Sequence, residues 1–256
     1  MKHGGRVAVV LTAALVGAAL AGCGQRDLPV ETEAGTTMGA VTAYGSLEDV
    51  PEKLGADGTT ITVGDPKAPV AVHLYEDPRC PVCEEFESTG GGPTVRGATV
   101  RREARTEYTL ASFLDDRVGG SGSKKAVNAL RAALEEGKFA EYHDVLYNNQ
   151  PEEAVDGFTD SSLLQLAEQV EGLRTPAFES AVRTTKYRSF VTASEKAYEK
   201  AGGEENPGGP GTPTADINDV RVPEKYNFLI FDPAALGGLL DEIRNTPENW
   251  DDSIFH

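Results

Sequence analysis

Cysteine, histidine and methionine are scarce in this sequence, and so is positive charge. Among 256 residues there are three Cys, four His, two Met and one Trp. Lys and Arg number 24 against 41 Asp and Glu, for a net charge of -17. Binding to a phosphate backbone depends on clustered bases that release counterions, and no such cluster occurs, so DNA and RNA are not expected partners. The longest apolar run, Val7 to Ala19, falls short of the roughly 20 residues needed to span a bilayer. Gly-x-Ser-x-Gly, Gly-x-x-x-x-Gly-Lys and His-Glu-x-x-His are all absent, which removes the usual hydrolase, nucleotide-phosphate and metallopeptidase readings. No internal repeat and no cofactor motif stands in their place. Gly (28) and Pro (15) make the chain loop-rich without reaching the composition of a disordered one.

What is present begins with an address. Lys2 and Arg6 precede the apolar run, which ends in Leu20-Ala21-Gly22-Cys23. The charge order and length are those of a secretory signal. The last four residues resemble a bacterial lipobox, in which the Cys thiol takes up a diacylglyceryl group. Residues 1–22 are therefore expected to be removed and Cys23 to carry the lipid; an ordinary signal cleaved elsewhere is the alternative. Residues 23–58 are rich in Gly, Thr, Ala and acids with no sustained period, as in a tether.

From Thr59 strand and helix signals alternate. Thr60 to Val63 is short and β-branched, and Val70 to Tyr75 reads as a buried central strand. A helix start with Pro81 in its first turn follows. Thr99 to Leu110 reads as a second strand after a Gly-rich link at 90–92. Four helices are expected between about 123 and 201, the last broken near Thr184 to Lys186. Strands return at Thr214 to Ile217 and Val220 to Val222 around a turn at Asn218-Asp219, and Asp232-Pro233 caps a final helix. The expected order is an α/β fold of β-α-β, a helical insertion and β-β-α, covering 59–245, with a tail at 246–256 that pattern assigns to neither core nor solvent.

Chemistry centres on Cys80-Pro81-Val82-Cys83, at the junction of strand and helix. A thiol at a helix amino terminus faces the positive end of the dipole and free backbone N–H groups, which favour the thiolate. Cys80 is thus the expected nucleophile, and Cys83, one turn on, the resolving thiol. Zinc would need about four ligands, and His73, His143 and His256 are poorly spaced to complete a site. Haem attachment needs His directly after the second Cys, where Glu84 stands. A purely structural disulfide would close a tiny loop and stabilise little.

Taken with the later Gly211-Thr212-Pro213-Thr214, the strand, Cys80-to-Cys83 motif and helix resemble the DsbA-like branch of the thioredoxin fold. Leu74 to Asp77 and Gly137 to Asp144 are similar to secreted bacterial members. The resemblance implies a cis bond before Pro213, with Thr212 presenting backbone groups to an extended substrate; on sequence alone, Pro207 to Pro213 is equally a flexible loop. It also implies a thiol:disulfide oxidoreductase that needs no cofactor or metal. Its partners would be reduced Cys-containing exported proteins and a membrane redox partner that reoxidises the dithiol, with the membrane itself held through the lipid on Cys23.

Two departures from the family pattern bear on direction. Many thioredoxin-fold proteins carry a buried acid six residues before the first Cys as proton acceptor for the second, and Leu74 occupies that place; Glu76 and His73 are the near substitutes. Pro81-Val82, the redox-tuning dipeptide, offers no polar side-chain atom to a Cys80 thiolate, Glu84 and Glu85 add negative charge, and Arg79 opposes them. Dithiol proteins of this fold span about -270 to -120 mV. An oxidant milder than the family extreme is expected; a reductase or isomerase, or a non-enzymatic peptide-binding lipoprotein, are the alternatives.

Overall fold

The computed structural model describes residues 42–248 and 250–255. The signal segment, Cys23 and the first part of the expected tether lie outside the described residues. Strands β1 (Glu52–Leu54), β2 (Ile61–Gly64), β3 (Val70–Glu76), β4 (Ala104–Leu110), β5 (Thr214–Ile217) and β6 (Val220–Arg221) form one sheet in the order β1-β2-β4-β3-β5-β6. Only β3 and β4 run parallel; the other pairs are antiparallel. In β3 every residue but His73 is buried, as a central strand covered on both faces requires. Val70, Val72 and Leu74 are each about 1 % exposed, and burying each contributes roughly 1.5 to 3 kcal/mol. On β4 the charged residues lie on the half-buried face, where Arg105 bonds Glu107 at 2.9 Å.

The register of the sheet positions the site. β3 runs toward the Cys80 motif and β5 runs back from Pro213, with Tyr75 opposite Thr214. Antiparallel pairing therefore brings the residues after β3 and the residues before β5 to the same sheet end. The hairpin closing β5 onto β6 turns on Asn218 (φ 46°) and Asp219 (φ 65°), two residue types that tolerate the left-handed region of a tight turn. Asn218 also accepts the Ala71 N–H at 2.7 Å and ties that turn to β3.

Helices pack on this sheet in chain order: α1 (Pro81–Ser88), α2 (Gly92–Val100), α3 (Leu114–Val118), α4 (Gly122–Glu135), α5 (Phe139–Asn148), α6 (Asp160–Leu166), α7 (Pro176–Thr184), α8 (Arg188–Ala201), α9 (Phe228–Phe231), α10 (Pro233–Asn245) and α11 (Trp250–Phe255). The helical stretch α4 to α8 fills 122–201. The expected break falls at Thr185, which is left-handed (φ 48°) after α7. Asn128 of α4, fully buried, clasps that break: its amide donates to Ala181 O at 3.1 Å and accepts from Tyr187 N–H at 2.9 Å. Asp232 caps α10 by accepting from the N–H groups of Ala234 and Ala235. No helix among the described residues is long and apolar enough to cross a membrane.

Two expectations are corrected, and one question that pattern left open is answered. Order starts before Thr59: Tyr44 N–H bonds Val100 O, Val50 is buried and β1 pairs with β2. Glu52 explains much of this, because its carboxylate caps α5 by accepting from Phe139 N–H at 2.7 Å and Ala140 N–H at 3.0 Å, contacts invisible to local pattern. Residues 92–100 form helix α2, so the strand expected from Thr99 starts only at Ala104. Val95, Ala98 and Thr99 recur at helical spacing on its buried face, and this packing overrides the β-branched composition. Gly91 is a close approach, not a hinge: a Cβ there would lie 2.2 Å from Ile230 O. Finally, the tail is part of the core, with Trp250 and Phe255 buried and Phe255 against the Tyr226 ring.

Candidate active site

After β3 the chain turns sharply through Asp77-Pro78-Arg79. Asp77 accepts the Arg79 N–H at 2.9 Å, and its carbonyl accepts the Cys80 N–H, so Cys80 becomes the residue before the first turn of α1 with Pro81 following. Pro fits there because its missing N–H would have no partner in a first turn. The helical stretch grips this loop. Gln150 donates to the carbonyls of Pro78 and Cys80, at 2.8 and 3.0 Å. Asp77 also accepts from Ser123 Oγ at 2.6 Å and Leu114 N–H at 3.0 Å.

Arg79 was expected to oppose acid near the thiol. It is instead 1 % exposed and turned into the insert, bonding Asp115 at 2.8 Å and the carbonyls of Gly119 and Glu153 at 2.8 and 2.9 Å. Its role is to hold the motif loop, and a charge so fully enclosed is stable only with such partners.

Cys80 and Cys83 are unbridged thiols with unlike surroundings. Cys80 is 7 % exposed and Cys83 is sealed. A hydrogen bond from Cys83, above all, lowers the Cys80 thiol to about 6; the Thr212 side chain and the backbone N–H groups of Cys83 and Val82 add to this against the opposing effect of burial. Burial, then the bond to Cys80 and the charges of Cys80 and Glu76, push Cys83 well above the ordinary thiol value. Pro81 and Val82 supply no polar side-chain atom, as expected, yet the thiolate is supported by backbone and by the second thiol.

Thr212-Pro213 is a cis peptide, and the Cys80 thiol lies 3.3 Å from the Thr212 carbonyl, to which it donates. Tyr198 of α8 holds this loop by accepting the Gly211 N–H, and its ring stacks on Phe113, which packs beside the dithiol with Leu114 and Tyr147. A groove of about 340 Å³ opens alongside, lined by Asn206, Gly211, Thr212, Pro213, Arg221 and Glu224 among others. Cys80, Pro81, Val82, Cys83, Thr212 and Pro213 are thus brought together.

His73 is not part of this group; it stacks on Tyr75 and bonds Thr109, on another part of the sheet. Glu76 is, and it is not alone. Glu87 of α1 and His143 of α5 join it, all within 2 % exposure, with donor atoms inside 4.8 Å of one another. Arg96 of α2 already pairs with Glu87 there, so positive charge is supplied by the chain itself and the grouping is not a fitting cation site. Glu87 escaped sequence reading, although its position four residues after Cys83 on one helix face was a usable signal.

A dithiol at a helix start, facing a cis-proline across the end of a mixed sheet, defines a thioredoxin-like redox protein. A family model described as Thioredoxin matches residues 56–230, and the chain belongs to that family. No curated protein sequence matches. Among solved structures the chain is similar to oxidised BdbD from Bacillus subtilis (TM-score 0.60, 18 % identity, covering 80 % of this chain and 100 % of that one). Reduced DsbA from Mycobacterium tuberculosis gives 0.58 and 22 % over 80 % and 97 % of the two chains. MdbA, a thiol-disulfide oxidoreductase from Corynebacterium diphtheriae, gives 0.58 and 19 % over 73 % and 94 %. At these identities the likeness is one of fold.

Proposed function

We propose that this chain is an extracytoplasmic thiol:disulfide oxidoreductase that donates the Cys80–Cys83 disulfide to reduced Cys pairs in exported proteins. The observation that carries this reading is the inequality of the two thiols: one acidic, narrowly accessible at 7 % exposure and beside the cis-proline, the other sealed and raised well above the ordinary thiol value. A client thiolate attacks the Cys80 sulfur, the Cys80–Cys83 bond breaks, and its electron pair leaves with Cys83, which takes a proton. A second client thiolate then attacks the client sulfur of the mixed disulfide and releases Cys80 as thiolate. The client loses two electrons and the pair gains two. Thr212 and the adjoining groove hold the client segment, and a membrane redox partner restores the disulfide. The lipid on Cys23 keeps the domain at the membrane.

Direction follows from acidity. A low thiol pKa stabilises the reduced form and makes the disulfide more oxidising; thioredoxin stands near 7 and DsbA near 3.5. At about 6, Cys80 belongs between them, an oxidant milder than the extreme. Incubating the preoxidised protein with a reduced, unfolded two-Cys client tests the proposal. Client disulfide should form stoichiometrically and Cys80→Ser should abolish it; no transfer, or transfer by that variant, rejects the reading.

A further inference from the structure

Large apolar side chains are seldom exposed on this molecule, and most of those that are lie in one place. Among the described residues Val82, Val118, Val155 and Phe228 stand out, at 44 to 62 % exposure. The three valines lie on segments that meet at the loop before Cys80. Val82 is within the motif itself. Val118 precedes Gly119, whose carbonyl accepts from Arg79 at 2.8 Å, and Val155 lies two residues past Glu153, whose carbonyl accepts from Arg79 at 2.9 Å. Gln150, at the head of that last segment, donates to the Cys80 carbonyl. The grip on Arg79 thus sets three exposed valines around the dithiol.

Acids border two of these valines. Glu84 and Glu85 follow Val82, and Glu152, Glu153 and Asp156 flank Val155. Glu85 and Glu152 are exposed, and no hydrogen bond or ion pair engages either carboxylate among the described residues. The bases on the same segments are already engaged. Arg79 is enclosed with Asp115, Lys124 pairs with Asp116 at 2.8 Å, and Arg117 lies over the Phe113 ring. The groove beside Pro213 repeats the pattern, with Glu224 exposed and Arg221 bonded to Asp216. The face that a client must approach is therefore apolar in patches and rimmed with unpaired negative charge.

We propose that the preferred clients of this chain are segments in which Lys or Arg stands next to the reacting Cys. This inference rests on exchange occurring at the Cys80–Cys83 pair and names the clients that such exchange favours. The group that attacks Cys80 is a client thiolate, and an acidic rim repels it. A base beside the client Cys removes that obstacle in two ways. It pairs with Glu85 or Glu152, and it lowers the pKa of its own neighbouring thiol, so that more of it is thiolate. The aliphatic stems of Lys and Arg can lie on the valines while their charged heads reach the carboxylates. Complementarity of this kind acts mainly on the rate of encounter, by about 10- to 1000-fold, and it fades with salt. A segment rich in Asp or Glu meets the same face with like charge and an unactivated thiol.

Stopped-flow oxidation of two-Cys peptides by the preoxidised full-length protein tests this. Three peptides differ only beside the Cys, where they carry Lys, Gln or Glu, and each rate is expressed per thiolate so that thiol acidity is separated from docking. The Lys peptide should react about 10-fold or more faster than the Glu peptide at about 20 mM salt, and within about threefold of it at about 0.5 M. Glu85→Lys combined with Glu152→Lys should bring the low-salt ratio to about one or invert it. Glu48→Lys combined with Glu171→Lys changes the net charge equally, at exposed positions beside the N-terminal half of α5, and should keep most of the ratio. Equal rates for the Lys and Glu peptides at low salt overturn the proposal. So does a ratio that the first variant leaves unchanged, or that both variants lower alike. Failure to oxidise even the Gln peptide would instead sink the exchange reading itself.

Discussion

At the residue scale, the account turns on how two chemically identical thiols become different. Neither side chain of the intervening dipeptide does this; that of Val82 is apolar, and the residue is 44 % exposed. The difference comes from position along one helical turn. Cys80 sits before the first turn, where N–H groups are free, and Cys83 sits within it, buried in a cluster with Leu114 and Tyr147. Since the Cys83 hydrogen bond is the largest influence on Cys80, Cys83→Ala should move the midpoint of Cys80 alkylation by iodoacetamide upward from near pH 6 toward the ordinary thiol range. An unmoved midpoint would show that the backbone alone acidifies Cys80. This asymmetry was legible in the sequence as spacing and helix position. The clamp on the loop was not, because Arg79, Asp115, Gln150 and Tyr198 reach the motif from separate elements and carry no local period.

At the element scale, the helices of the insert and the final α10 followed from apolar spacing, caps and breakers, even to the interruption at Thr185. The misses have a common cause. Helix α2 and strand β1 are each poor in intrinsic signal and exist through partners distant in sequence: Gly91 closes on Ile230, and Glu52 caps α5. The interruption between α7 and α8 is likewise held from outside, by Asn128. Asn128→Ala should leave the Tyr187 N–H and Ala181 carbonyl without their partner and destabilise the fold by about 1 to 3 kcal/mol. Urea denaturation measures this, and hydrogen exchange should quicken first at Tyr187. A loss below a few tenths of a kcal/mol, with protection unchanged, would mean the break is fixed by Thr185 alone.

At the scale of the whole molecule, the acid excess has an internal share. Glu52 and Asp77 are raised to about 7, and Glu76 and Glu87 to about 8, each chiefly by burial. Above their unfolded values near 4 to 4.5, the folded chain keeps protons that the unfolded chain releases, so the stability these groups give is lost as pH rises through 7 to 8. Cys80 acts oppositely between about 6 and 9, but as one group against four. Self-repulsion among the 41 acids grows over the same range. The urea midpoint of the reduced protein should therefore be lower at pH 8 than at pH 6.5; a midpoint that rises would mean the buried carboxyls are already ionised in the folded state.

The fold, the acidic thiol and the cis-proline all serve one claim, that the Cys80–Cys83 pair is a working redox couple and not a staple. Its equilibrium reduction potential against a glutathione buffer tests that claim most directly. The acidity of Cys80 predicts a value between those of thioredoxin and DsbA, about -270 and -120 mV. A value below about -300 mV, the range of structural disulfides in secreted proteins, would contradict it.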